Sequence, residues 1–149
     1  MRLSKSCTYA LRASVYLAMR HEDRFVPIRE ISEKLDISYH FLTKILQTLT
    51  GSDLLTSYRG PKGGVGLARP ASQISVLDVI LAMERPDYFE ECLLGFPGCG
   101  ESKPCPLHDS WQAMRERMRS AFKAMSLGEL AEEIRKGTQR ISDGGIVPL

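Results

Sequence analysis

Several features that would mark a fibrous, membrane or enzymatic protein are missing from this sequence of 149 residues. Aromatic residues make up only 7% of the chain, with a single tryptophan, and no internal repeat is apparent. No apolar stretch approaches the roughly 18 residues that a membrane-spanning helix needs. No nucleophile–base pair, nucleotide-binding loop or carboxylate dyad emerges either. We therefore expect a soluble, cytoplasmic protein that is not an enzyme, built as one globular domain or a small domain with an extension.

A large excess of charge of one sign is missing too, since the net charge is only +2, but the two halves of the chain differ. Residues 1–70 hold eleven Lys or Arg against six Asp or Glu, a net of +5. Residues 71–149 hold nine against twelve, a net of −3. The basic half indicates a module that binds a polyanion, and the acidic half indicates a separate module for sensing or assembly.

Three helices are predicted in the basic half. Apolar residues recur at helical spacing from Tyr9 to Met19, with Ser6 as the candidate N-cap. A short second helix begins at Pro27, and after a three-residue turn a third helix begins at the N-cap Ser38. Such a pair is typical of a helix-turn-helix, whose second helix enters the DNA major groove. The residues predicted on the outer face of that helix are Tyr39, His40, Thr43, Lys44 and Gln47.

A β-hairpin wing is predicted directly after the helix-turn-helix. The strand-like runs 54–59 and 65–69 flank residues 60–64, whose three glycines and one proline predict a tight turn. Arg59, Lys62 and Arg69 place positive charge on and beside a tip with little side-chain bulk. The backbone of such a tip can approach a phosphate or enter the minor groove. Together with the preceding helices, the wing predicts a winged-helix DNA-binding domain.

The acidic half is predicted to contain a short helix, a long helix and a second short helix. Capping boxes begin the two short helices at Ser75 and Ser126. The long helix runs from Pro106 to about Met125, and its apolar residues have a heptad-like spacing that favours a two-fold dimer interface over an intramolecular core. From Gly137 onward the composition predicts a flexible tail. The predicted seam of the long helix consists of Leu107, Trp111, Met114, Met118, Phe122 and Met125.

Residues 92–108 contain three cysteines and one histidine with the spacing Cys-x6-Cys-x5-Cys-x2-His. Intervening glycines and prolines prevent regular structure, so this cysteine loop can wrap around a metal and aim its ligands inward. Structural zinc sites usually take paired ligands from tighter knuckles. Iron–sulfur clusters are held by thiolates, and imidazole replaces thiolate in some two-iron clusters. An iron–sulfur cluster is therefore favoured, with zinc and thiol redox chemistry as alternatives. The candidate ligands are Cys92, Cys99, Cys105 and His108.

The fourth cysteine, Cys7, stands apart near the start of the first helix. Free cysteine is commonly buried as a small hydrophobic residue, and we favour that interpretation for Cys7. The alternative is that it reaches the cysteine loop of a partner subunit. His21 and His40 lack the clustering that a metal site needs, and a DNA contact suits the outward-facing His40 better.

With these motifs the sequence resembles the Rrf-type winged-helix transcription regulators, the family that includes the IscR-like and NsrR-like branches. The similarity covers residues 1 to about 136. It rests on Met1 to Leu3 with Tyr9 and Ala10, on Ile37 and Ser38, on the wing residues 59–61 with 63–64, on the set of three cysteines and His108, and on residues 127–130.

The resemblance implies a mainly α fold, in which a winged helix-turn-helix with a two-stranded β-wing is followed by a long C-terminal dimerisation helix. It implies a homodimer that docks two recognition helices on a palindromic double-stranded DNA operator. Cys92, Cys99 and Cys105 would be thiolate ligands of an iron–sulfur cluster and His108 the fourth ligand, as in the IscR-like branch. A 2Fe-2S cluster is favoured and a 4Fe-4S cluster is the alternative.

The same resemblance places Arg59 and the glycine tip in the minor groove, and His40 and Thr43 over base edges. Thr43 replaces an acidic residue of the IscR-like branch and cannot accept from cytosine as a carboxylate would, so a different operator preference is expected. Thr8 stands where the NsrR-like branch has a carboxylate ligand, which favours His108 as the fourth ligand over Cys7. The candidate DNA-contacting residues are Arg2, Ser38, Tyr39, His40, Thr43, Lys44, Arg59, Lys62 and Gly63.

The expected organisation is a DNA-binding domain at 1–86, a cluster-binding loop at 87–106, a dimerisation helix with a short terminal helix at 107–136, and a flexible tail at 137–149. The expected function is a DNA-binding regulator of transcription, more specifically a repressor, whose cluster senses redox stress, nitric oxide or iron–sulfur status. A metal-free thiol-redox regulator, or a winged-helix regulator stabilised by zinc, is the alternative.

Overall fold

The described residues form six α-helices and a two-stranded antiparallel sheet, in the order α1 (Lys5–Met19), α2 (Ile28–Leu35), α3 (Tyr39–Gly51), β1 (Leu55–Tyr58), β2 (Gly64–Leu67), α4 (Val76–Met83), α5 (His108–Ala124) and α6 (Leu127–Arg135). The coordinates are a computed structural model that describes residues 2–20 and 22–142. Met1, His21 and positions 143–149 of the predicted tail lie outside the described residues. Within those two ranges, no helix is both long and apolar enough to cross a membrane. The mainly α winged-helix architecture expected from the sequence is confirmed.

Helix α1, Lys5–Met19, is the most deeply buried element. It begins at Ser4, whose hydroxyl accepts a hydrogen bond from the Cys7 amide at 3.1 Å, so the N-cap lies two residues before the predicted Ser6. Residues 13–19 are all buried. A helix that is covered on every side must be packed by several elements, and α3, α4 and α6 all contact α1.

The helix-turn-helix consists of α2, Ile28–Leu35, and α3, Tyr39–Gly51. Asp36 adopts a left-handed conformation with φ of 52°, which ends α2 and turns the chain toward α3. Ser38 occupies the predicted N-cap position of α3, but its side chain makes no capping hydrogen bond. Helix α3 packs its apolar face inward, as predicted, through the buried residues Leu42, Ile45, Leu46 and Leu49.

The wing is formed by β1, Leu55–Tyr58, and β2, Gly64–Leu67, which pair in antiparallel register. A third segment joins this hairpin, because the Val26 amide donates to the Val65 carbonyl at 2.8 Å and the Val65 amide donates back at 3.0 Å. Gly64 and Gly66 allow this approach: a Cβ atom would lie 2.1 Å from the Val26 carbonyl oxygen at position 64 and 2.0 Å from the Arg24 carbonyl oxygen at position 66. Gly64, which the sequence predicts in the turn, is therefore a strand residue that the neighbouring backbone requires to be small.

The remaining helices are α4, Val76–Met83, α5, His108–Ala124, and α6, Leu127–Arg135. Both predicted capping boxes are present, at Ser75 with Asp78 and at Ser126 with Glu129. Helix α5 begins two residues after the predicted start at Pro106, and residues 84–107 connect it to α4.

Two groups of buried side chains form the core. The larger one surrounds α1, and the smaller one consists of Cys7, Val76, Leu77, Ile80, Tyr88 and Phe89. Phe122 and Met125 of the predicted dimer seam pack against the smaller group, whereas Met114 is 58% exposed. The seam is thus intramolecular at its C-terminal end and open to solvent at Met114. In the predicted tail, Ile141 and Ser142 are buried.

The close approach of the 24–27 segment to β2 predicts that Gly66→Ala is strongly destabilising. The added methyl group would overlap the Arg24 carbonyl oxygen, and overpacking of this kind costs about 3 kcal/mol. Chemical denaturation of the purified variant measures this change. Gly51→Ala is the matched control, because nothing lies within 4 Å of a Cβ atom at that helical position. An equal loss in both variants would contradict the close-approach argument.

Candidate DNA-binding surface and metal centre

An open groove of about 590 Å³ lies between α3 and the wing. Four of the predicted DNA-contacting residues line it, namely Tyr39, Thr43, Arg59 and Gly63. Arg29, which is not among the DNA-contacting residues predicted from the sequence, also lines it. Among the described residues of the lining there are two arginines and no carboxylate, so the groove favours an anionic ligand.

The N-terminal turn of α3 presents aromatic and polar groups to this groove. Tyr39 is exposed and packs edge-to-face with His40 at a ring-centroid distance of 5.8 Å. The Thr43 hydroxyl donates to the Tyr39 carbonyl at 2.8 Å. Because its hydroxyl is already engaged with the backbone, Thr43 has its methyl group left for an apolar contact, such as one with a thymine methyl.

The wing tip is held by backbone interactions rather than by side chains. Gly60 has a φ of 137°, and the Gly63 amide donates to its carbonyl at 2.9 Å. A Cβ atom at Gly63 would lie only 2.5 Å from the Tyr58 carbonyl oxygen, so the turn requires glycine there. Arg59 and Lys62 are exposed beside this narrow tip. Next to the tip, Tyr58, the last residue of β1, stacks on Phe25 with a centroid distance of 5.4 Å.

Other predicted DNA-contacting residues lie outside the groove lining. Ser38, His40 and Lys44 are exposed at the start of α3, Lys62 is exposed at the wing tip, and Arg2 is exposed ahead of α1. Arg69, predicted beside the wing tip, instead pairs with Asp78 of the α4 capping box at 3.4 Å. Arg29 is exposed on the helix before the recognition helix. The positive charge of Arg29 on the helix before the recognition helix is the one signal in the sequence that points to this residue.

The cysteine loop brings its three thiols together. The sulfur atoms of Cys92, Cys99 and Cys105 all lie within 4.8 Å of one another. The Cys92 and Cys105 sulfurs are 3.8 Å apart, and His108 Nδ1 lies 3.4 Å from the Cys99 sulfur. The four candidate ligands thus lie together in one cluster.

Turns and one helix end position these ligands. Gly95 and Gly98 have φ values of 75° and 66°, which the loop needs to reverse direction between Cys92 and Cys99. The His108 amide donates to the Cys105 carbonyl at 3.0 Å, which fixes the third cysteine against the start of α5. His108 is only 7% exposed, and its Nε2 atom is buried with no hydrogen-bond partner among the described residues.

The surroundings of the thiols change their acidity. Partial desolvation opposes ionisation of Cys92, but backbone hydrogen bonds from Phe96 and Leu94 and the two neighbouring thiols lower its pKa to about 7. Desolvation and the proximity of Cys92 raise the pKa of Cys99. One thiol of the set therefore ionises readily near neutral pH, which suits a metal ligand.

Cys7 has the opposite environment. It is 0% exposed in the smaller core group, and burial together with the nearby Glu84 carboxylate raises its pKa to about 12. This agrees with the favoured interpretation of Cys7 as a buried hydrophobic residue. A side chain buried within its own subunit does not reach a partner's loop.

Comparison with known proteins gives one family. Residues 3–133 match the family model Rrf2, described as an iron-dependent transcriptional regulator. The HTH-type transcriptional regulator IscR of Klebsiella pneumoniae is 35% identical over 130 residues, which cover 87% of this chain and 79% of that protein.

Solved structures agree on the fold. CymR, the global cysteine regulator of B. subtilis, superposes with a TM-score of 0.76 at 22% identity, covering 89% of this chain and 98% of the other. IscR of T. potens superposes with a TM-score of 0.75 at 19% identity, covering 93% and 92%.

The different environments of the cysteines predict selective alkylation. In the native, metal-free protein at pH 8, we expect iodoacetamide to modify Cys92, Cys99 and Cys105 but not Cys7, whose pKa is raised to about 12 by burial. Mass spectrometry of the digested protein measures this, and the unfolded chain, in which all four react, is the control. Modification of native Cys7 at the rate of the other three would contradict its burial.

Proposed function

The chain belongs to the Rrf2 family of transcriptional regulators, and from that premise we propose that it controls transcription as an iron–sulfur-dependent, DNA-binding homodimer. It is a regulator and not an enzyme. The observation that carries the iron–sulfur part of the proposal is the convergence of three thiols within 4.8 Å, with an imidazole nitrogen 3.4 Å from one of them.

The number and type of these ligands fit a two-iron cluster. Two thiolates bound at about 2.3 Å to one tetrahedral metal atom lie about 3.8 Å apart. This is the separation of the Cys92 and Cys105 sulfurs. His108 Nδ1 lies 3.4 Å from the sulfur of Cys99. Two protein ligands for each iron is the arrangement of a 2Fe-2S cluster, in which imidazole is an accepted ligand.

The residues therefore fit such a group in the type and number of their donor atoms: the thiolates of Cys92, Cys99 and Cys105 and the imidazole of His108 would hold it. When bound, a 2Fe-2S cluster supplies a one-electron redox centre that is sensitive to oxidants and to iron supply. The chain contributes the soft donors, the turns at Gly95 and Gly98 that aim them inward, and a half-buried setting that limits access of water.

The groove between α3 and the wing supports binding to double-stranded DNA. A recognition helix with Tyr39 and Thr43 at its N-terminal end can reach base edges, while Arg59 at the narrow wing tip can reach phosphates or the minor groove. Arg29 adds a second cation on the same side. We propose that His40, Lys44, Lys62 and Gly63 also contact the DNA, and that Ser38 and Arg2 contact it at the periphery of this surface.

Helices α4 and α5 support assembly with a second copy of the chain. Helices α4 and α5 contact each other within the chain. Leu81 on α4 is nevertheless 46% exposed, and Met114 on α5 is 58% exposed. Exposed apolar side chains on a long helix are typical of a two-fold helix–helix interface. Two recognition helices related by such an axis match a palindromic operator.

The loop connects the two parts of this proposal. It begins after α4, which packs on α1 and α3, and it ends at His108, the first residue of α5. A loop that is ordered around its ligand set would hold α5 at one angle to α4. In the dimer this angle sets the separation of the two recognition helices, and thus the affinity for the operator.

A metal-free thiol switch is the second candidate function. The 3.8 Å separation of the Cys92 and Cys105 sulfurs favours it, because a small side-chain movement brings them within bonding distance. A disulfide would form with loss of two electrons and two protons to an oxidant such as hydrogen peroxide, which is reduced to water. A zinc ion on the same four ligands would leave the fold intact without a redox role.

Cofactor content separates these functions. In protein purified without oxygen, we expect two irons and two sulfides per chain with a brown colour, because four ligands converge on one site. Cys99→Ala should lose most of this iron without unfolding, and Cys7→Ala, which changes a cysteine outside the loop, should retain it. Iron, acid-labile sulfide and zinc are assayed on each sample. A colourless protein that carries zinc, or no metal at all, contradicts the iron–sulfur proposal.

DNA affinity tests the groove. Arg59→Ala should weaken binding to an operator selected from a random double-stranded DNA pool by about tenfold, since one charge-assisted contact is lost. The dependence of log affinity on log salt should also become shallower by about one unit. Fluorescence anisotropy at several salt concentrations measures both, and Arg117→Ala, an exposed arginine of α5, is the control. Equal affinity of the Arg59 variant and the wild type would contradict the role of the wing.

A further inference from the structure

The backbone carbonyl of Glu91 accepts two hydrogen bonds from α5. Trp111 donates through Nε1 at 2.9 Å, and Arg115 donates through Nη1 at 3.0 Å. The two donors are four residues apart, so they lie one above the other on the same face of the helix. The carbonyl belongs to the peptide group that leads directly into Cys92. A planar peptide held at its oxygen also has its nitrogen and the next Cα atom fixed.

We infer that Trp111 and Arg115 are positioning residues that hold Cys92 in place for metal binding by clamping the Glu91 carbonyl; this inference rests on the proposed cluster site. Each side chain acts on Cys92 through the Glu91 carbonyl. These two hydrogen bonds connect the backbone next to Cys92 to α5.

The other ligands show why Cys92 needs this support. His108 is part of α5, and Cys105 is tied to it by the bond between the His108 amide and the Cys105 carbonyl. Cys92 lies thirteen residues before Cys105, across a stretch rich in glycine and proline. The backbone entropy of such a stretch opposes any fixed position for its first ligand. The clamp brings Cys92 to the same helix that carries His108.

Further contacts make Glu91 a firm anchor. Its carboxylate pairs with the guanidinium of Arg85, just after α4, while its carbonyl is held by α5. Tyr88 and Phe89, between these two residues, are buried in the smaller core group. The Arg115 side chain is partly buried, and its Nε atom has no hydrogen-bond partner among the described residues. The bond to Glu91 is therefore what orients this guanidinium.

The test uses variants that remove the hydrogen-bond donors of Trp111 and Arg115 but keep side chains of similar size. Trp111→Phe deletes the indole N–H but retains an aromatic ring, and Arg115→Met deletes the guanidinium but retains the length of the side chain. Arg115→Lys restores one donor, and Arg117→Met is the matched control on the exposed face of α5. All variants are compared as full-length protein, with the thermal unfolding of the metal-free form recorded for each.

Two measurements are made on these proteins. The first is the rate at which a strong iron chelator removes iron from the anaerobically loaded protein. We expect the rate of iron removal to rise about tenfold in the double variant Trp111→Phe, Arg115→Met. In Arg115→Lys, which keeps one donor, the rate should rise less, and in Arg117→Met it should equal that of the wild type. The second is the rate of alkylation of Cys92 relative to Cys105 in the metal-free protein, which should rise in the double variant while the unfolding temperature stays the same.

The outcomes separate the two proposals. A wild-type protein that takes up no iron overturns the proposed function, and the ratio of Cys92 to Cys105 alkylation still tests the clamp. Iron loss and alkylation ratios equal to those of the wild type overturn the clamp while leaving the cluster site intact. A parallel rise in the alkylation of all three loop cysteines, with a lower unfolding temperature, also overturns it, because that result indicates a general loss of structure.

Discussion

Helix α1 is held at both of its ends by other helices, and the remaining elements depend on this arrangement. At its start, the Ser4 amide donates to the Glu84 carboxylate at the end of α4, at 2.7 Å. At its end, Arg135 of α6 donates to the carbonyls of Ala18 and Met19 at 3.1 and 2.6 Å. These bonds satisfy backbone groups that the helix itself leaves unpaired. Since α3 also packs on α1, the recognition helix and the end of α4, from which the chain continues toward the cysteine loop, share one rigid support.

Features with a local signal could be predicted from the sequence. The two capping boxes and the turn between α2 and α3 depend on residues a few positions apart, and all of them occur. The pairing of Val26 with Val65 could not be predicted, because it joins backbone groups that are far apart in sequence and its only sign in the sequence is the pair of glycines at 64 and 66. The same is true of the Glu91 carbonyl, which has no side-chain signature. The sequence predicts Arg69 beside the wing tip because its charge is evident, whereas its contact with Asp78 depends on the tertiary structure.

The spacing of the cysteines predicts a metal loop but not which ligands become neighbours. Zinc knuckles pair cysteines that are close in sequence, and the wide intervals here argued against such pairs. In the folded loop, the sulfurs of Cys92 and Cys105, the pair most distant in sequence, lie 3.8 Å apart. Folding therefore creates a pair that the intervals alone did not reveal. The sequence identified the ligand types, and the tertiary structure determines how they combine.

The cysteine loop is fastened to α5 twice, at Glu91 through its carbonyl and at His108 as the first residue of the helix. His108 is also the only fully buried side chain of α5, so this helix has less support from the core than α1 has. A change in the loop consequently acts on the element that is least restrained. Because α1 is held by α3, α4 and α6 together, such a change moves α5 against α4 at a lower free-energy cost than it would distort the recognition helix. In the homodimer that we propose, the winged domain would then respond as a unit to a change in the loop.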